Sequence, residues 1–105
     1  MSEEETVGAR KEAIARRRDQ FAAKVRGARA ILGWSQKELA EKVGLTQKSV
    51  YRIEQGSVDV RHSTAALLED AFVGEGIHFE QLGYGGFRIV VSGQWAKGEE
   101  REEVR

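Results

Sequence analysis

The stretch Gly33–Gly56, GWSQKELAEKVGLTQKSVYRIEQG, decides the fold. Ser35 and Glu38 stand three apart ahead of an apolar run. That is the spacing of a capping box, in which hydroxyl and carboxylate satisfy free backbone N–H groups at a helix start. Trp34 before the cap and Leu39 after it are placed for a hydrophobic staple. The helix so begun runs to about Lys42, and Gly44 follows where a left-handed turn residue is easy. Thr46 caps a second short helix, with Leu45 and Val50 as its staple, and Gly56 stops it. Leu39, Val43, Leu45, Val50 and Ile53 give both helices a buried side, and Ala40 is small enough to let them approach closely. Two short helices joined by a tight, glycine-bearing turn are the helix-turn-helix signature.

What stays outside on the second of these helices is Gln47, Lys48, Tyr51 and Arg52, at spacings of one, three and one, so they share an exposed face. An α-helix fits the major groove of B-DNA, where paired hydrogen bonds suit Gln to adenine and Arg or Lys to guanine. Tyr51 is placed for a thymine methyl or a phosphate. These four are the candidate base-reading residues. The alternative for any such face is plain solvation.

The same stretch resembles the helix-turn-helix of lambdoid phage repressors and Cro proteins, the xenobiotic-response-element (XRE) family of transcriptional regulators. The pattern SQ-ELA-K-G-T---V---E-G matches in order without a gap, within a resemblance that spans about Val25 to Leu68. It implies a mainly α fold, a four-helix lambda-repressor-like domain, here with a C-terminal β-hairpin extension. It also implies double-stranded DNA as partner; with no metal-ligand cluster in the sequence, no cofactor and no metal are expected. Gln36 would bond a phosphate and brace the recognition helix. Lys37, Thr46, Ser49, Ser57, Arg61 and His62 are the further phosphate candidates, the last two in the loop GSVDVRHS. Arg29 and Glu54 stand where the family often has an ion pair joining its first and third helices; a surface pair contributes only ~0–1 kcal/mol. Three features depart from the family. A hairpin stands where many members have a fifth helix, Asp59 lies in the phosphate-facing loop, and the first helix is longer than the motif needs.

Charge is distributed in blocks. The 105 residues carry no net charge, yet Arg10–His62 carries +7, Ser63 to the end −4, and residues 1–9 −3. A basic front and an acidic back steer an anionic partner to one face. With no cysteine there is no disulfide, thiolate metal site or cysteine nucleophile, which fits a reducing compartment. The two histidines are sixteen residues apart, and LGYGG lacks the Lys-Ser/Thr of a phosphate loop, so nothing points to an enzyme. No apolar run approaches the roughly 20 residues of a membrane helix. The acidic start is unlike a secretory signal. The expectation is a cytoplasmic, nucleoid-associated protein with no membrane contact.

Around the motif the chain reads as follows. Residues 1–9 lack apolar periodicity and are expected to be disordered. Arg10–Leu32 is one long helix whose face is Ile14, Phe21, Val25, Ala28 and Leu32. Arg16, Arg17 and Arg18 lie partly off that face, as solvated surface or as phosphate contacts. Ser63 or Thr64 caps a fourth helix, to about Gly74, with Ala65, Leu67, Leu68, Ala71 and Phe72 inward. Residues 10–75 thus make the DNA-binding domain. Residues 76–95 form a hairpin, with Ile77 and Phe79 alternating on one strand, Phe87, Ile89 and Val91 on the other, and LGYGG as the turn. Residues 96–105 are a charged tail. Core positions are Leu39, Ala40, Val50, Ile53, Leu67, Leu68 and Phe72.

One such unit covers few base pairs, so a homodimer reading two half-sites is expected. The hairpin is its candidate surface, through Phe87, Ile89, Val90, Val91 and Trp95, because an exposed strand edge pairs readily. The alternative has the hairpin folding back on its own helices. Function follows as sequence-specific transcription regulation, with repression the simpler sign. Its rivals are an antitoxin or restriction-modification controller with a protein partner, and an interaction module that has lost DNA.

Overall fold

A computed structural model describes residues 2–92; Trp95 and the tail 96–105 lie outside them. Four helices precede a hairpin: α1 (Glu3–Leu32), α2 (Gln36–Val43), α3 (Gln47–Glu54), α4 (His62–Gly74), β1 (Ile77–Gln81) and β2 (Phe87–Val91).

The N-terminus corrects an expectation. Residues 1–9 were expected to be disordered, but α1 starts at Glu3. Ser2 and Glu5 form a capping box, and Glu3, Glu4 and Glu5 fill the first turn, where negative charge meets the positive end of the helix dipole. These signals are local and need no apolar stripe, which is why periodicity missed them. Gly33, at φ 70°, closes the helix.

The core joins all the helices to β1. Val25 and Ala28 of α1, Leu39, Ala40 and Val43 of α2, Val50 and Ile53 of α3, Leu68 and Phe72 of α4, and Ile77 form one buried cluster. Leu67 is the exception among the expected core residues, at 44% exposed. Helical residues turn about 100° per step, so with Leu68 and Phe72 aimed inward Leu67 falls on the flank. The start of α4 differs as well. Arg61 is its N-cap with no side-chain cap bond, so neither Ser63 nor Thr64 caps it. Val60 packs against the core and precedes the cap, so apolar anchoring of the loop sets where the helix begins.

The hairpin folds back on its own helices. Ile77 pairs with Val91, Phe79 with Ile89 and Gln81 with Phe87, so these share a face. That face meets the core: Ile77 is fully buried, and Phe79 and Ile89 pack against the cluster. An aromatic series runs from Trp34 to Phe72 (6.3 Å), to Phe79 (6.1 Å) and on to Phe87 (6.4 Å) between ring centres. Lys24 of α1 sets its ammonium 5.7 Å and 5.5 Å from the Phe79 and Phe87 ring centres. A side chain at Gly27 would meet Ile89 Cδ1 at 2.7 Å, so α1 is bare where β2 crosses it. On the outer face Arg88 Nε donates to Glu80 across the strands at 2.6 Å.

Candidate nucleic-acid interface

The site is built from two caps and one buried carboxylate. On α2 the Ser35 N–H donates to Glu38 Oε1 and the Glu38 N–H to Ser35 Oγ, both at 3.0 Å. The Ser35 backbone N–H first, and the Ser35 side chain after it, hold the Glu38 carboxyl below its ordinary pKa. Gly44 then takes φ 73°, and its N–H donates to Ala40 O. On α3 the Ser49 N–H donates to Thr46 Oγ1 at 3.0 Å, and the Thr46 hydroxyl donates to Ser49 Oγ at 2.9 Å. The Thr46 hydroxyl proton is thus taken up within the helix cap.

Glu54 lies at the end of α3 and is 1% exposed. Arg29 grips it with two bonds, Nε to Oε2 at 2.7 Å and Nη2 to Oε1 at 3.0 Å. Gln36 Nε2 donates to Oε1 at 3.0 Å, and Arg29 Nη1 to the Trp34 carbonyl at 3.0 Å. Arg26 donates to the Glu54 backbone carbonyl. One carboxylate therefore ties α1, α2 and α3 together, and hydrogen bonding to it raises the Arg29 pKa. The expectation of a surface pair is corrected, since the Glu54 side chain is only 2% exposed. A buried charge is tolerated because its lone pairs are satisfied. The Gln36 amide braces α3 through this carboxylate, with a second N–H on the same nitrogen.

With Val50, Ile53 and Glu54 turned inward, the outer face of α3 is Gln47, Lys48, Tyr51 and Arg52, all exposed, with Tyr51 at 52%. Lys37 is exposed near the start of α2, and Ser49 is half-buried. Among the phosphate candidates of the α3–α4 loop, Ser57 donates to the Arg52 carbonyl at 3.1 Å, Arg61 is exposed at the α4 cap, and His62 is exposed as the first residue of α4.

Asp59 was the residue that fitted this loop least. Arg18 Nε donates to its Oδ1 at 2.7 Å, which lowers the Asp59 pKa. The negative charge is matched, and the loop is clasped to α1. Gly56 completes the crossing: at φ 69° a side chain there would come within 2.8 Å of Asp19 Oδ1. Sequence reasoning missed Arg26 and Arg18 as loop and helix anchors. Arg26 had a faint signal, standing three residues before Arg29 on the same helical face. Arg18 with Asp59 had none, because the contact spans 41 residues.

Of the dimer candidates, Ile89 is committed to the core, and Phe87 is half-buried beside Phe79 and Lys24. Val90 is half-buried and Val91 is 37% exposed. Among the described residues no helix is long and apolar enough to cross a membrane. Residues 25–72 match the model of a family described as helix-turn-helix. No curated protein matches the chain.

Proposed function

We propose that this chain, whose residues 25–72 are a DNA-binding helix-turn-helix domain of the XRE family of transcriptional regulators, is a sequence-specific repressor acting as a homodimer on a palindromic operator. The observation that carries the reading is the outer face of α3. Gln47, Lys48, Tyr51 and Arg52 are exposed together on a helix whose opposite side is locked by Val50, Ile53 and the Glu54 hub. Amide and guanidinium groups on a rigid helix read base edges in the major groove. Gln36, Lys37 and Arg61 then sit with the loop as phosphate contacts, which position without reading sequence. Two such units on a two-fold axis read half-sites about 34–36 Å apart. Repression needs only occupancy that blocks polymerase, and the working place is the cytoplasm, on the nucleoid.

Selection from random duplex DNA with a salt titration tests this. The expected result is an enriched two-fold symmetric site. Binding without enrichment that vanishes at modest salt would leave only phosphate attraction and overturn it. A second reading, a regulator that also holds a protein partner, is favoured by Leu67 and Val73, exposed at 44% and 46% on α4. Co-purification from the native host, compared with a Leu67→Ser/Val73→Ser variant, separates the two.

A further inference from the structure

Ile14 was expected on the inward face of α1, yet it is half-buried without joining the core cluster or the residues packed on it. It borders a groove instead. Ile14, Arg17, Arg18, Phe21 and Lys24 follow at spacings of three, one, three and three, so they share one face of α1. That face, the α3–α4 loop, the start of α4 and the end of β1 wall a groove of 560 Å³. Small-molecule sites span roughly 300–1,000 Å³ and combine an apolar lining with a few polar groups. None of the lining residues named here belongs to α3.

The groove has an apolar floor and an excess of positive charge. Ile14, Phe21, Val60 and Ala65 form the floor, all half-buried. Arg17, Arg18 and Lys24 face a single carboxylate, Asp59. Arg18 holds that carboxylate at 2.7 Å, and the Arg17 charge acts on it as well. Lys24 is different: among the described residues it has no carboxylate partner, and its ammonium stands over the Phe79 and Phe87 rings. Gln20 lies one helical turn before Lys24 on the same side. Gln81 Nε2 donates to Gln20 Oε1 at 3.3 Å, and the Gln20 amide keeps its own N–H donors. A half-buried cation beside an amide donor suits a carboxylate, and low-dielectric surroundings strengthen that pairing. An inorganic anion would leave the apolar floor uncovered, and an uncharged apolar molecule would leave Lys24 unmatched. A duplex phosphate backbone brings no apolar group to the floor, and the exposed Asp59 carboxylate repels it.

We infer that this groove binds a small organic carboxylate with an apolar body. The Lys24 ammonium and the Gln20 amide hold the carboxylate head. The body lies along Phe21 and Ile14, with Val60 and Ala65 on the opposite wall. Arg17 adds positive field without making the defining contact. Because the groove faces away from the residues proposed to read bases, the inference goes beyond the DNA reading and does not depend on it. The site is open along one side, so affinity comes from head and body together, and neither part alone suffices.

Titration of the isotopically labelled full chain with octanoate, followed by amide NMR shifts, tests it. Acetate and octanol serve as the head and the body alone. The expected result is a saturable shift confined to residues 14–24, 59–65 and 81, with a Kd below about 1 mM. Acetate and octanol are each expected to bind at least about tenfold more weakly than octanoate. Lys24→Gln removes the charge and should weaken octanoate by at least about tenfold. Lys24 also covers two rings of the hairpin, so Lys24→Arg, which keeps a cation there, should retain binding. Ile14→Ser, outside the core cluster, should weaken octanoate while leaving the thermal unfolding midpoint in place. No saturable shift by about 10 mM octanoate would overturn the site. So would octanol binding as tightly as octanoate, shifts centred on Leu67 and Val73 of α4, or a folded Lys24→Gln variant that binds like the parent.

Discussion

The two ends of α1 are one continuous helix under opposite conditions. Toward its C-terminus Ala22, Val25 and Ala28 are at most 1% exposed, and Arg26 and Arg29 hold Glu54. Toward its N-terminus residues 7–12 are all exposed. Caps, first-turn charge and propensity are local, so they form a helix at either end. Only a dense set of partners converts that helix into tertiary structure. The same contrast divides α3 across its width rather than along its length, with Val50, Ile53 and Glu54 inward and Gln47, Lys48, Tyr51 and Arg52 outward.

The largest effect should come from breaking the anchored end. Glu54→Ala leaves the Arg29 guanidinium and the Gln36 amide without their acceptor. Loss of a buried partner costs on the order of 3 kcal/mol, the low end of the range because the Arg29 side chain keeps 24% of its exposure. Urea unfolding measures it, and an unchanged midpoint would sink the hub. Next comes the outer face of α3. Arg52→Ala should weaken specific DNA binding by ~1–3 kcal/mol and relax one base position while leaving stability alone. Gln36→Ala should weaken all sites alike, and also lower stability by about 1 kcal/mol through its lost bond to Glu54. If neither variant changed base preference, Arg52 would not be a reader.

Smaller effects follow where the chain is pinned by geometry. Gly56→Ala forces a side chain into the left-handed region and against Asp19, and should cost ~1–2 kcal/mol in thermal unfolding. Gly8→Ala sits on the free end in open space. It should raise the helicity of this end by up to about 1 kcal/mol of local stability without moving the unfolding midpoint of the body, and a shifted midpoint would mean that this end is packed after all. The smallest effect is on pH dependence. Arg18 holds the Asp59 carboxyl below its ordinary pKa, so the clasp contributes stability above the ordinary carboxylate range and loses it as pH falls through the lowered value. Asp59→Asn should flatten that part of the acid unfolding limb, and an unchanged limb would show that the clasp does not couple to folding.

Much of the motif was legible because its signals lie within a few residues. Ser35 with Glu38, Thr46 as a cap with Leu45 and Val50 beside it, and the glycines at positions 33 and 44 declare two short helices, and the shift to alternation after Gly76 marks both strands. The helix at residues 3–9 was also written locally, in Ser2 and Glu5, but without the apolar repeat on which the reading relied. Leu67 failed because an apolar residue beside an apolar stripe does not say which side of the flank it takes. Arg18 with Asp59, and Gly27 beneath Ile89, were beyond sequence reading, because each joins residues far apart in the chain.

By itself the sequence determined where the helices of the motif start and stop and which side chains α3 turns outward, since capping and helical periodicity depend only on neighbouring residues. Tertiary structure alone decided that Glu54 is a buried hub for three helices, that α1 clasps the loop bearing Asp59, and that the hairpin spends its inward face on its own core. Those outcomes depend on which distant surfaces exclude water together, a property of packing that no local spacing encodes.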